Sequence, residues 1–351
     1  MLIRTNRLST RSHPGRPHTG AREWLAAWLV AILALAAVPA QAHAREPAES
    51  WLLKLGPALN MTTYRGVFVY SRGEQVSSMA IAHRYRDGRV DERLVVQDGA
   101  NGEIIRRGGR VVCVLPEYGR IQLDQLIPSG PFAEAFASQQ VPVGAWYQPE
   151  LLGEDRVADY PAVVIGLQPR DNDRYGYRLW MEKNSGLLLK SHVRHKEKVL
   201  ERFQFTTLEI VDDLPDSEFE IRSGVEVMEL TPALPLSGEP GRMEGWTLGW
   251  RPEGFMPTTA PKGTRGQAVT FSDGLATFSV FVEPARSPEM PQGASRIGAT
   301  TLYMHYTDPA KPGRPRMLVT VVGEIPPKTA MRVAQSVVID DSNALIRALD
   351  R

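Results

Sequence analysis

Tyr177-Arg178-Leu179-Trp180-Met181-Glu182 and Glu201-Arg202-Phe203-Gln204-Phe205 are the two stretches that decide the fold. In the first, Tyr177, Leu179 and Met181 share one face of an extended chain, with Arg178 and Glu182 on the other. In the second, Phe203 and Phe205 oppose Arg202 and Gln204. A period of two marks a strand with one buried face. Antiparallel sheets tolerate water on their second face, whereas parallel sheets are covered on both. The pattern therefore predicts a one-sided antiparallel sheet, apolar within and polar without. A long curved sheet of that kind must cover its apolar face with helices or with a bound apolar guest.

Further strands follow on either side, at residues 67–70, 79–85, 90–97, 110–115, 162–167, 175–183, 187–195 and 199–209. Asp87-Gly88, Asp98-Gly99 and Asn101-Gly102 suit the hairpin turns, because their central residues must reach positive φ. Ahead of the strands, Trp51, Leu52, Leu55 and Leu59 predict a helix over 50–59, with Ser50 as the cap. Beyond them, Thr231-Pro232, Leu234-Pro235 and Glu239-Pro240-Gly241 break any regular element, and residues 222–244 read as an interdomain linker. A smaller unit at 245–343 holds strands at 266–271, 275–283, 300–306 and 317–323 and a hairpin loop at 311–315. Its closing helix follows Pro326-Pro327, with Ala330, Val333, Ala334, Val337 and Val338 on one face.

The chain has 351 residues, with 41 Lys and Arg against 40 Asp and Glu. Phosphate contacts need clustered cations, so the balance argues against a nucleic-acid binder. One cysteine, Cys113, excludes an internal disulfide, a four-thiolate zinc site and a CxxC pair, and in the 110–115 strand it reads as a small buried hydrophobe. Residues 1–44 read as an export signal: Arg4, Arg7, Arg11, Arg16 and Arg22 precede an apolar run over 24–38, and Ala40-Gln41-Ala42 offers a cleavage site, with Ala42-His43-Ala44 as a second register. Fifteen apolar residues fall short of the ~20 that span a bilayer. The mature chain at 45–351 then carries 36 basic and 39 acidic residues. Its expected address is the periplasm.

Catalytic signatures are absent: there is no GxGxxG, P-loop, HExxH or GxSxG. His192 and His195 look like a metal pair, but an odd separation on a strand sends them to opposite faces. Asp171 and Asp173 with Arg170 and Arg174 read as a charged turn. Asp212, Asp213 and Asp216 lack the spacing of a calcium loop and read as a solvated acidic turn. Trp246 and Trp250 stand near the domain junction, either as core anchors or as ligand platforms. No enzyme, metal or cofactor is expected.

Several ordered stretches resemble the MucB/RseB family of periplasmic sigma-factor regulators. They include Tyr64-Arg65-Gly66-Val67-Phe68-Val69-Tyr70, Pro169-Arg170-Asp171 through Arg174-Tyr175-Gly176-Tyr177, and Leu200-Glu201-Arg202-Phe203-Gln204-Phe205. In the second unit Gly249-Trp250-Arg251-Pro252-Glu253-Gly254-Phe255, Ser272-Asp273-Gly274-Leu275-Ala276 and Thr320-Val321-Val322-Gly323-Glu324 match as well. The resemblance implies an α+β architecture: a LolA-like curved antiparallel half-barrel with helices over 45–221, and a smaller C-terminal mixed domain over 245–343. It also implies a partner, the periplasmic part of a membrane anti-sigma factor of the RseA or MucA type. The partner would be shielded from regulated proteolysis and released by lipopolysaccharide or another lipid.

On that expectation, acyl chains enter the concave sheet face, with Phe68, Tyr70, Tyr177, Leu179, Met181, Phe203 and Phe205 as candidates. Arg170, Arg174, Arg178 and Arg202 become candidates for lipid phosphates or acidic peptide residues. Trp246 and Trp250 join them as partner contacts, with the 222–244 segment as a hinge. Assembly into a homo-oligomer is left open, and a lipid or lipoprotein carrier is the alternative function.

Overall fold

The computed structural model describes residues 47–98, 102–107, 110–115, 119–123, 143–220, 227–228, 243–258, 268–285, 291–307 and 316–340. The expected export signal at 1–44, most of the 222–244 segment and the expected loop at 311–315 lie outside them. Helix α1, Ala48–Met61, precedes eleven strands: β1 Tyr64–Arg72, β2 Gln75–Arg86, β3 Arg89–Val96, β4 Glu103–Arg107, β5 Arg110–Leu115, β6 Gly119–Leu123, β7 Tyr147–Val157, β8 Tyr160–Pro169, β9 Gly176–Glu182, β10 Leu188–His195 and β11 Lys198–Ile210. With the two-residue β12, Val227–Met228, they form one sheet in the order β12-β6-β5-β4-β3-β2-β1-β11-β10-β9-β8-β7. All neighbours are antiparallel except β12 on β6.

The sheet curls around α1. That helix touches β2, β10 and β7, and six places in the sheet order separate β2 from β7. In a flat sheet six places span about 29 Å, more than a helix of about 10–12 Å diameter can bridge. Trp51, Leu52 and Leu55 of α1 are buried against Phe68, Leu179, Phe203 and Phe205 on the inner face. Each such side chain contributes about 1.5–3 kcal/mol when taken out of water. Gly186 permits the close fit: its φ is +77°, and a Cβ there would lie 3.0 Å from the Lys54 Cβ.

α1 begins at Ala48 behind Pro47, two residues before the expected cap, and Ser50 donates its N–H to the Pro47 carbonyl instead of capping. The outer face is also less polar than alternation suggests. Trp180 joins Val157, Ala162, Val164 and Leu189 in a second apolar cluster. Glu182 is buried, because its carboxylate accepts the Asn184 and Ser185 N–H groups and the Ser185 hydroxyl, closing the β9–β10 turn.

The second lobe has a six-stranded antiparallel sheet in the order β14-β15-β16-β19-β18-β17. Its strands are β14 Met256–Pro257, β15 Ala268–Ser272, β16 Thr277–Pro284, β17 Gly293–Ile297, β18 Thr300–Tyr306 and β19 Met317–Gly323. Helix α2, Pro327–Gln335, buries Ala330, Val333 and Ala334 against it. The helical periodicity overshoots, because Val337 and Val338 belong to a strand, β20 Val337–Ile339, paired with β13 Trp246–Leu248. The architecture is α+β, with a large curled sheet and a separate smaller one.

Candidate functional site

The two lobes share a polar seam built around Arg174. This side chain sits in the turn before β9 and is buried, unlike the exposed Arg170. Its Nη1 meets Asp273 of the second lobe at 2.7 Å, and its Nη2 donates to the Glu253 carbonyl at 2.5 Å. Nε donates to Asp171 at 3.1 Å. The rings of Trp146, Tyr147 and Phe255 surround the guanidinium at 5.1–5.7 Å. Burial disfavours the charge, but the hydrogen bond donated to Asp171 and the field of Asp273 outweigh it, and the Arg174 pKa rises.

Asp273 is fully buried and fully engaged. It accepts the Tyr147 hydroxyl at 2.9 Å and the N–H groups of Leu275 and Ala276 at 2.9 and 2.8 Å. Burial first, then the nearby Tyr177 phenol and the charge of Asp273, hold the Tyr147 phenol neutral, its pKa raised well above the ordinary value. Further along the seam, Tyr175 donates to the Ile325 carbonyl at 3.2 Å and Thr329 to Asp173 at 3.2 Å. Glu201 of β11 accepts the Ala299 N–H at 2.8 Å and the Tyr70 hydroxyl. Leu275 and Ala299 of the second lobe complete the apolar core of the first. A charge buried this way is stable only while every partner is present.

Beside the seam lies a groove of about 670 Å³. Trp146 lines it from the first lobe, with Leu248, Trp250, Arg251 and Met256 from the second. Gly254, at φ +85°, makes this approach possible, since a Cβ there would overlap the Trp146 indole. Arg170 donates to the Gly144 carbonyl at 3.2 Å, and its N–H to the Trp146 carbonyl at 2.9 Å, fixing the turn that carries Trp146. Trp250 is held from behind by Arg332, 3.8 Å from its ring, and by the Ser336 hydroxyl on its carbonyl. Trp246 is elsewhere, buried in the second core.

The seven apolar candidates share the inner face of the first sheet. Phe68, Tyr177, Leu179, Met181, Phe203 and Phe205 are buried there beneath α1, while Tyr70 is half-buried. Next to Tyr70, the half-buried Met79, Ile81 and Leu94 continue the apolar row toward the solvent. Arg178 and Arg202 lie on the opposite, outer face, in register with His192 and away from the seam. The four arginines thus serve three places. Asp273, Glu201 and Trp146 carry the geometry without having been singled out. Ser272-Asp273-Gly274 signals only a turn, and partners separated by 99 and 98 residues leave no local pattern.

Two family models match, described as MucB/RseB N-terminal domain over residues 47–222 and MucB/RseB C-terminal domain over 241–338. The Pseudomonas aeruginosa sigma factor AlgU regulatory protein MucB is 36% identical over 326 residues, covering 88% of this chain and 96% of that protein. The Escherichia coli sigma-E factor regulatory protein RseB is 27% identical over 309 residues, covering 85% and 92%. Among solved structures, the Pseudomonas aeruginosa MucA/MucB complex is similar, with a TM-score of 0.66 at 32% identity, covering 84% of this chain and 99% of that one.

Proposed function

From the premise that the chain belongs to the MucB/RseB family, we propose that it is a negative regulator of an envelope-stress sigma factor. In this reading it is exported to the periplasm, binds the periplasmic segment of a membrane anti-sigma factor and shields that segment from proteolysis. The groove at the lobe junction carries the reading. It is concave, of a size that suits a side-chain-bearing ligand, and lined by an indole from each lobe. A peptide seated there touches both lobes at once. Tryptophans flanking a groove are the residue type that dominates binding energy at interfaces.

Release by lipid requires that the lipid favour a state that binds peptide less well. The half-buried row of Tyr70, Met79, Ile81 and Leu94 offers an acyl chain a surface, at about 0.8 kcal/mol for each CH₂ buried. Tyr70 also touches Glu201, which reaches the second lobe, so a guest there would press on the seam. That row equally favours the second reading, a lipid carrier, which predicts transfer of labelled lipid between vesicles.

The test uses purified mature chain and the periplasmic segment of the anti-sigma protein from the same genome. Binding and slowed cleavage by the regulating protease are expected. Trp250→Ala weakens binding about thirtyfold, the effect of losing a ~2 kcal/mol anchor. Unchanged cleavage at saturating protein would discard the regulator.

A further inference from the structure

The outer face of the large sheet carries a row of cations that the groove and the inner face leave unused. Arg178 on β9, His192 on β10 and Arg202 on β11 are direct cross-strand neighbours. With strands about 4.8 Å apart, the two guanidinium-bearing positions are about 10 Å apart. Lys190 and Arg194 flank the row on β10. Among the described residues neither Arg178 nor Arg202 has a carboxylate partner, and the buried Nε of Arg178 has no acceptor. Arg194 meets only the fully exposed Glu197, at 3.4 Å. Lys190 rests 4.4 Å from the Trp180 ring. Asp155, at the border, is engaged by the Trp180 Nε1 at 2.8 Å and the Arg156 N–H.

The crowding has a measurable consequence. Burial, followed by the fields of Lys190, Arg202, Arg178 and Arg194, pushes the His192 pKa down to about 4. Asp155 offsets this charge at the Lys190 end, but Arg178 and Arg202 have no such partner among the described residues, and positive charge at this density calls for an anion. An apolar side chain adjoins it: Leu152, 42% exposed, lies over Gly166, the cross-strand neighbour of Arg178.

We propose that this outer face docks on an anionic phospholipid bilayer, with Arg178, Lys190, Arg194 and Arg202 on headgroup phosphates and Leu152 in the interfacial layer. The cations occupy the open face of three adjacent strands, so they meet a plane of phosphates more readily than a single peptide strand, which needs a groove. The mature chain has more acidic than basic residues, so its overall charge does not supply the attraction, and the cations gathered on this face set the orientation. The proposal does not depend on the anti-sigma reading, although a surface that holds the chain at a membrane would suit a membrane-anchored partner.

Co-sedimentation of the mature chain with phosphatidylethanolamine vesicles containing phosphatidylglycerol tests it, against phosphatidylcholine vesicles. Binding to the anionic vesicles alone is expected, weakening as salt is raised. The Arg178→Gln/Arg202→Gln pair should lower partitioning about 25-fold, roughly fivefold for each charge near the surface. Circular dichroism and binding of the anti-sigma segment should be unchanged in that variant. In the wild type the His192 imidazole should titrate at higher pH on anionic vesicles, because phosphates neutralise the row. Equal sedimentation of variant and wild type, or no sedimentation of either, overturns the proposal. Loss of anti-sigma binding in the variant overturns it as well, making the row a peptide site. Failure of the wild type to bind the anti-sigma segment while still binding vesicles would strike the function proposed above and leave this one standing.

Discussion

At the scale of single residues, Asp273 shows how one buried carboxylate can hold two lobes. It answers Arg174, Tyr147 and two backbone N–H groups at once. Asp273→Asn keeps the shape but removes the charge, leaving the Arg174 guanidinium with no buried counter-charge. The expected cost is about 3–5 kcal/mol, read as a lower urea midpoint. His192 gives a second prediction, in pH. Its folded pKa of about 4 lies below the ordinary value of 6.5, so the unfolded chain takes up the proton first as pH falls. The neutral imidazole therefore favours the folded state above about pH 6.5, and that contribution is lost progressively as pH drops from 6.5 toward 4. In His192→Gln the thermal midpoint should fall less steeply across that window than in the wild type; identical slopes would contradict the shift. Asp273 could be read from the sequence as a turn residue, whereas its charge partner could not, because the pairing depends on how the lobes dock.

Elements were legible where periodicity and burial agree. The strands around Tyr177 and Phe203 stand at 176–182 and 198–210, and 300–306 and 317–323 fall where alternation puts them. Strand β7 was illegible for a physical reason. It is an edge strand containing Pro149, with a bulge at Leu151/Gly153 where Gly153 has φ +130°. Edges accept proline and bulges that a central strand would exclude, so the usual signal is erased. Helix α2 erred in the other direction. All five of its periodic residues are valines and alanines, the closing pair Val337 and Val338 suits a strand as well as a helix, and Ser336 ends the helix by bonding back to Val333. Helix α1 deserves the element-scale test. Leu55 is fully buried under the curled sheet, and Leu55→Ala should cost about 2–5 kcal/mol in chemical denaturation. A cost below 1 kcal/mol would mean that α1 is a removable lid and not part of the core.

For the whole molecule, the seam decides behaviour. Leu275 and Ala299 of the second lobe sit in the core of the first, and the polar bonds around Arg174 and Glu201 bracket them. Calorimetry of the wild type should give one transition, since neither lobe can unfold without opening the other. In Asp273→Asn two transitions should separate; a single one at lower temperature would show that the apolar contacts alone couple the lobes. Two domains were legible from proline and glycine between the strand-rich halves. Their docking was not, because a hinge composition says only where a chain can bend, while the seam determines whether it does.

The pairing of β13 with β20 carries one more implication. Trp246 lies opposite Ile339, and the Asp340 N–H bonds to the Gly245 carbonyl at 3.0 Å. The second lobe thus begins and finishes at one place, like a loop tied by its own two ends. Such a module can be cut out, rejoined head to tail and reopened at a surface hairpin without stretching its backbone. Cut free, it bares Leu275, Ala299 and Asp273, so a permuted lobe becomes a reagent for asking what this half does once the seam is lost.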